Sequence, residues 1–195
     1  MADLVIKPSS GNLVLKDDQN VARLTLATSS GNPTFTGATT LANATITAGT
    51  FPAGHIIQTV QGSHTGELST TSTTWVTIHS NLGPSITPSS ASNKILVQFH
   101  FPSYIDTSSK YHTATIFRDS TNIGGDGTAT TGYGFGMNYN SNAADSMCVI
   151  SGAVIDSPNT TSSVTYSIRH RVSGGTGYSS INTSTATILL MELQQ

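Results

Sequence analysis

The sequence predicts an all-β protein, with a short N-terminal trimeric β stem followed by a jelly-roll (TNF-like) β-sandwich head. Three observations predict it. Apolar residues recur with a period of two, and no stretch carries a competing helix period. Clusters of Gly, Asn, Asp and Ser separate the apolar runs at turn spacing. Charged residues are 9% of the 195, against about 25% in ordinary soluble domains. Ser and Thr supply roughly three residues in ten, a bias toward strands and turns.

Residues 1–54 form the expected stem. Its apolar pairs are Leu4/Ile6, Leu13/Leu15 and Leu24/Leu26, followed by Phe35, Leu41 and Ile46. Between them lie the turn formers Ser9-Ser10-Gly11-Asn12, Asp17-Asp18-Gln19-Asn20 and Ser29-Ser30-Gly31-Asn32, the first and third identical. Repeats whose units cannot bury an apolar face alone need stacked neighbours or partner chains. Three copies winding together supply them, so Leu4, Ile6, Leu13, Leu15, Leu24 and Leu26 are the expected trimer contacts of an intertwined β stem. Low charge with strong β propensity also endangers a monomer with open sheet edges, a hazard that closed symmetric assembly removes.

The segment Thr47-Ala48-Gly49-Thr50-Phe51-Pro52-Ala53-Gly54 interrupts the pattern, and residues 55–195 read as a separate head. Eight strands are expected: 55–61, 74–80, 94–101, 112–119, 133–139, 147–155, 164–172 and 186–193. Turn-rich connectors and no convincing helix point to two packed antiparallel sheets. Ile95, Val97, Phe99 and Phe101 share one face of the third strand. In the seventh, Val164, Tyr166, Ile168, His170 and Val172 point inward and Thr165, Ser167, Arg169 and Arg171 outward. Ile188-Leu189-Leu190-Met191 has no polar face, which predicts cover on both sides, the second from a neighbouring subunit. Residues 132–139 alternate Gly or Asn with aromatics and Met, a pattern that permits close backbone approach.

Composition excludes several functions. A net charge of −2 provides no electrostatic footprint for nucleic acid. Cys148 is alone, so no intrachain disulfide forms, and its apolar neighbours predict a buried thiol. The first residues lack the pattern of a signal peptide, and no apolar run approaches the length of a membrane span, so neither secretion nor membrane insertion is expected.

Ile86-Thr87-Pro88-Ser89-Ser90-Ala91-Ser92-Asn93-Lys94-Ile95-Leu96-Val97 and Phe51-Pro52-Ala53-Gly54-His55-Ile56-Ile57-Gln58-Thr59-Val60 resemble segments of tailed-bacteriophage virion proteins, particularly marine, cyanophage-type ones. Ile116-Phe117-Arg118-Asp119-Ser120 and Leu190-Met191-Glu192-Leu193 extend the resemblance over most of residues 45–195. It implies a structural or adhesive role in the virion, with the protein made in the host cytoplasm. It carries over no catalytic residue.

The chain lacks a zinc-protease helix, a nucleophile elbow, a phosphate loop and a cysteine pair, so no enzyme activity and no cofactor is expected. Of the histidines, His100 and His170 are the candidates for an axial site with one imidazole from each of three chains. Hydrogen-bonded strand histidines are the simpler reading, and no metal is expected. Residues 119–127 mimic a calcium loop, but Ile123 replaces the oxygen ligand at the fifth position, which favours an Asx-rich hairpin. Arg169 and Arg171 form a compact basic feature suited to an anionic surface, with two solvated arginines as the plain alternative. Tyr133 and Tyr139 are candidate sugar-stacking side chains at a surface, whereas Trp75 reads as core.

The expected function is a virion structural protein, a short homotrimeric tail fibre or fibre-like adhesin. Its stem contacts other virion proteins and its head contacts host cell-surface glycan by many weak contacts multiplied through valency. The alternative is a capsid decoration protein at three-fold positions of the shell.

Overall fold

The computed structural model describes residues 13–16, 18–20, 22–26, 33–35, 53–125, 132–141 and 145–195, and the chain divides into two units, Met1–Gly49 and Thr50–Gln195. In the first unit, β1 (Leu13–Lys16), β2 (Ala22–Leu26) and β3 (Pro33–Phe35) pair antiparallel in that order. The register sets Leu13 opposite Leu26 and Leu15 opposite Leu24, and Leu24 opposite Phe35. The apolar pairs of the repeat therefore align with one another inside one chain. Asp18, Gln19 and Asn20 make the expected turn, with Asn20 left-handed at φ 65° and its Oδ1 accepting from Lys16 Nζ at 2.9 Å. Asn tolerates this conformation because its short side chain bonds locally. Leu4, Ile6, Leu41 and Ile46 lie outside the described residues.

The second unit is a β-sandwich. Its elements are β4 (Ile56–Thr65), β5 (Leu68–Thr70), β6 (Val76–Thr77), a 3₁₀ turn at Ser80–Leu82, β7 (Ser85–Ile86), β8 (Lys94–Ile105), β9 (Lys110–Arg118), β10 (Thr121–Asn122), β11 (Gly136–Asn140), β12 (Ser146–Asp156), β13 (Val164–Val172), β14 (Gly177–Ser179) and β15 (Thr185–Leu193). All pairings are antiparallel. In one sheet β8 is central: β12 runs along one edge, β15 and then β14 occupy the other, β4 lies beyond β15, and β5 beyond β14. In the other, β9 and β13 form the middle, flanked by β10 and β11 on the β9 side and by β6 and β7 on the β13 side.

The inner faces follow the period of two. Ile95, Val97, Phe99 and Phe101 of β8 meet Tyr166 and Ile168 of β13 in the core cluster, joined by Ile116, Ile150, Ile188 and Leu190. Each fully buried side chain of this kind contributes about 1.5–3 kcal/mol. On β13 the inward set is the one the alternation predicts.

Elsewhere the structure corrects the sequence reading. The expected strand 74–80 shrinks to Val76–Thr77, because the chain coils at Ser80–Leu82. His79 Nδ1 caps that turn by accepting from the Asn81 amide at 3.1 Å, and Leu82 is driven fully into the core. The strand expected over 133–139 starts only at Gly136, after a turn closed by the bond from the Gly136 amide to the Tyr133 carbonyl. That turn separates Phe135 from Tyr133, so Phe135 packs inward, edge-on to Phe99 at 5.1 Å, in space left by Gly152, whose added Cβ would fall 2.5 Å from the ring. Cys148 is exposed rather than buried, near the start of β12. On β15 the face that looked uniformly apolar alternates after all: Ala186, Ile188, Leu190 and Glu192 are buried, while Leu189 and Met191 are half-buried on the outer face.

Candidate functional site

Two outer faces and two buried polar clusters carry the chemistry of the sandwich. The outer face of the β4–β15–β8–β12 sheet has the cross-strand rows Ile155–Leu96–Met191–Thr59, Ala153–Gln98–Leu189–Gln61 and Ser151–His100–Thr187–Ser63. Met147 and Val149 extend it along β12 opposite Tyr104 and Pro102. Met147, Val149 and Ile155 are 65%, 53% and 58% exposed. Lys94 is a charged outward position of this face, and the Asp145 carboxylate, just before β12, accepts from the outward Tyr104. Two shallow depressions, of about 540 and 560 Å³, lie on the sheet and share His100 in their lining.

The opposite outer face, on β9 and β13, is layered with arginines and aromatics. Arg169 lies over the Phe117 ring at 4.0 Å and donates to the Asp119 carbonyl at 2.8 Å. Arg171 sits between Trp75 and Tyr111, 5.2 and 5.6 Å from the two rings. It donates from Nη2 to the Gly132 carbonyl at 2.6 Å and the Tyr111 hydroxyl at 3.4 Å, and from Nη1 to the Thr73 carbonyl at 3.3 Å. Arg171 is therefore not a solvated arginine: it is 3% exposed, and Arg169 is half-buried. Outward-facing positions are exposed only where nothing folds over the sheet, and here residues 72–75 and the segment around Gly132 do. Trp75 is buried as expected, but on this outer face instead of between the sheets.

Beside this layer, Tyr133 and Tyr139 are 51% and 49% exposed, with Met137 nearly as open. Tyr139 is the register partner of Tyr111, whose ring meets Tyr133 edge-on at 5.3 Å. The backbone beneath Tyr133 is fixed. Thr113 Oγ1 donates to the Tyr133 and Gly136 carbonyls. Gly134 is left-handed at φ 61° and so close to β9 that an added Cβ would overlap the Ala114 carbonyl oxygen. Only glycine satisfies both demands.

Between the sheets, Ser103 Oγ bonds His112 Nδ1 at 3.0 Å, and His112 Nε2 bonds His170 Nδ1 at 3.1 Å. Both rings are buried and meet Phe101 edge-on. Burial, with the neighbouring imidazole, lowers His112 to about 3, and burial lowers His170 to about 4. His170 is thus half of a core pair, while His100 lies on the far side of the other sheet, exposed. Among the described residues of the single chain there is no cluster of three or more metal-ligating side chains.

The second cluster surrounds the fully buried Glu192. Its carboxylate accepts from Asn93 Nδ2 at 2.6 Å, the Ser89 amide at 2.7 Å, Ser89 Oγ at 2.8 Å and Gln58 Nε2 at 2.5 Å. Burial alone would push this carboxyl up, but the hydrogen bonds outweigh it and hold it below its ordinary range. Sequence reasoning missed this knot, although its residues all lie in the segments that carry the resemblance. A nearby ion pair, Arg118 to Asp156 at 2.8 Å, is completed by Tyr166 Oη donating to Asp156 at 2.6 Å. The Asp119–Ser120 turn closes a tight hairpin from β9 to β10, with Asp119 left-handed at φ 51°.

Against known proteins, no family model and no curated protein matches the chain. Among solved structures, the chain is similar to the structure of infectious bursal disease virus Gx strain, at 15% identity and a TM-score of 0.33, over 72% of this chain. The match spans 38% of that viral chain.

Proposed function

We propose that this chain is a self-associating virion structural protein, a short homotrimeric fibre or fibre-like adhesin whose Thr50–Gln195 unit is a jelly roll. Nested strand pairing supports the jelly-roll reading. Counting β4, β6 with β7, β8, β9, β11, β12, β13 and β15 as eight successive strands, the first pairs with the eighth, the second with the seventh, the third with the sixth and the fourth with the fifth. A chain folded once into a long hairpin and rolled up produces this nesting. The resemblance of residues 45–195 to phage virion proteins supplies the virion context.

The observation that carries the oligomeric reading is the outer face of the β4–β15–β8–β12 sheet. Four strands about 4.8 Å apart and some seven residues long present a face of roughly 450 Å², on which Met147, Val149, Ile155, Leu96, Leu189 and Met191 supply the apolar part among Thr, Ser, Gln and His side chains, a mixture that suits an interface. With few charges, such a face packs against neighbouring copies around a three-fold axis without desolvating many ion pairs. Leu189 and Met191 then gain the second cover that the sequence of β15 calls for. The N-terminal unit, with Leu13, Leu15, Leu24 and Leu26 in register, is the proposed link to other virion proteins and to its own copies.

Light scattering tests the association. The native chain is expected at three chain masses, and Val149→Asp with Leu189→Asp is expected to dissociate at higher concentration than the native chain, with unchanged circular dichroism. A native monomer overturns the reading. Gold-labelled antibody on intact virions then locates it: label on the tail supports the fibre, and regular label over the shell makes it a decoration protein.

A further inference from the structure

We infer that Tyr133, Tyr139 and Met137, backed by Tyr111 and Arg171, form a binding site for acidic pyranose units of a cell-surface glycan. The inference rests on the adhesin reading above and gives that reading a site and a ligand class. If the outer face of β4–β15–β8–β12 is covered by copies of the chain, the face on β9 and β13 is the one left to the surroundings, and the tyrosines stand on it.

Three observations point to a sugar. Tyr133 and Tyr139 each expose about half of their surface, one against the Tyr111 ring and the other its register partner, and half-open phenol rings offer an apolar face for C–H groups together with a hydroxyl for sugar oxygens. The open area of Tyr133, Met137 and Tyr139 is roughly 300 Å², well below the ~800 Å² per partner of a stable protein interface, and it suits a few linked sugar rings. The site is also rigid before any ligand arrives, through Thr113, Gly134 and the bond from Arg171 to the Gly132 carbonyl. Preorganised rings lose little entropy on binding.

Charge selects acidic units. Arg171 is 3% exposed and packs its guanidinium against carbonyls, a phenol and two ring faces, with Nε unpartnered and no carboxylate touching it among the described residues. Trp75 Nε1, in the same layer, is also buried without a partner. A buried cation that no carboxylate touches among the described residues attracts an anion through the low dielectric of the layer.

The test measures binding of the full chain to immobilised polygalacturonate, polysialate and dextran. The native protein is expected to retain at least one of the acidic polymers more strongly than dextran, and less strongly as salt rises. Tyr133→Ala and Tyr139→Ala should each weaken that binding about tenfold, while Tyr133→Phe and Tyr139→Phe keep most of it, all with native dichroism. Binding to none of the polymers, equal binding to dextran, or no effect of the alanine variants overturns the site. So does a loss of trimer mass in the alanine variants, which would make the patch a contact between copies. Failure of glycan binding with the trimer and the virion label intact removes the site alone, whereas an unlabelled virion with glycan binding intact removes the virion reading alone.

Discussion

At the scale of single residues, the buried imidazoles of His112 and His170 set the response to acid. Their folded values of about 3 and about 4 lie below the ordinary 6.5, so between these limits the unfolded chain binds more protons than the folded one. Stability is therefore complete above pH 6.5 and falls as pH drops toward 4 and then 3. A tenfold loss of proton affinity is worth about 1.4 kcal/mol, so the pair removes several kcal/mol, a large part of the 5–15 kcal/mol that holds a typical domain. Melting temperatures recorded from pH 7 to pH 4 should fall steeply for the native protein and less so for His112→Gln with His170→Gln. Equal slopes would mean that the rings are protonated in the folded state. Glu192 acts in a lower window: its folded value is depressed, so its contribution is present above the unfolded value and is lost as pH falls through the folded one. Replacing Glu192 by Leu strands the Ser89 amide, Asn93 and Gln58, and should cost about 1–3 kcal/mol in urea unfolding at pH 7.

At the scale of elements, the alternation of the long strands is what the sequence makes legible. Val164–Val172 can be read with its bounds and both faces, and the face shared by Ile95, Val97, Phe99 and Phe101 holds the centre of the core. The three-residue strands Leu68–Thr70 and Gly177–Ser179 are not legible, because each exists only through pairing with a distant neighbour. The exposure of Cys148 and the burial of Arg171 escape sequence reasoning for a related reason. Alternation assigns a face, but whether that face is covered depends on segments far along the chain. The candidate site is half legible: Tyr133 and Tyr139 announce themselves as aromatics among glycines, whereas their support by Arg171, Gly134 and Thr113 needs three-dimensional contacts. Gly134→Ala tests that support. The left-handed backbone and the close approach to Ala114 should together displace the segment carrying Tyr133, with a loss of stability of about 1–3 kcal/mol. A nuclear magnetic resonance spectrum should show shifts centred on Tyr111 and Tyr133, while resonances of the β4–β15 pair stay in place.

At the scale of the whole molecule, assembly has two proposed seats, and they make separable predictions. The N-terminal unit aligns Leu13 with Leu26 and Leu15 with Leu24 in a three-stranded sheet of very short strands. A sheet of that size is marginal by itself, so its stability must be drawn from packing against something larger, and copies of the same chain are the candidates at hand. Leu24→Asp places a carboxylate in the central row, next to both Leu15 and Phe35 in register. It should abolish the trimer or weaken it by orders of magnitude, while the melting transition of the Thr50–Gln195 sandwich, with its own core, moves by less than about 2 °C. Substitutions on the outer face of β12 and β15 should instead weaken the trimer in proportion to the apolar area lost, about 25 cal/mol per Å², with the N-terminal unit intact. Combining Leu24→Asp with Val149→Asp distinguishes two arrangements. If the seats act in series along one three-fold axis, the double variant is no more dissociated than the worse single one. If each holds the chains independently, the free energies add and only the double variant is fully monomeric at micromolar concentration. A Leu24→Asp protein that remains trimeric at nanomolar concentration would assign assembly to the sandwich alone and leave the N-terminal unit for attachment to the particle.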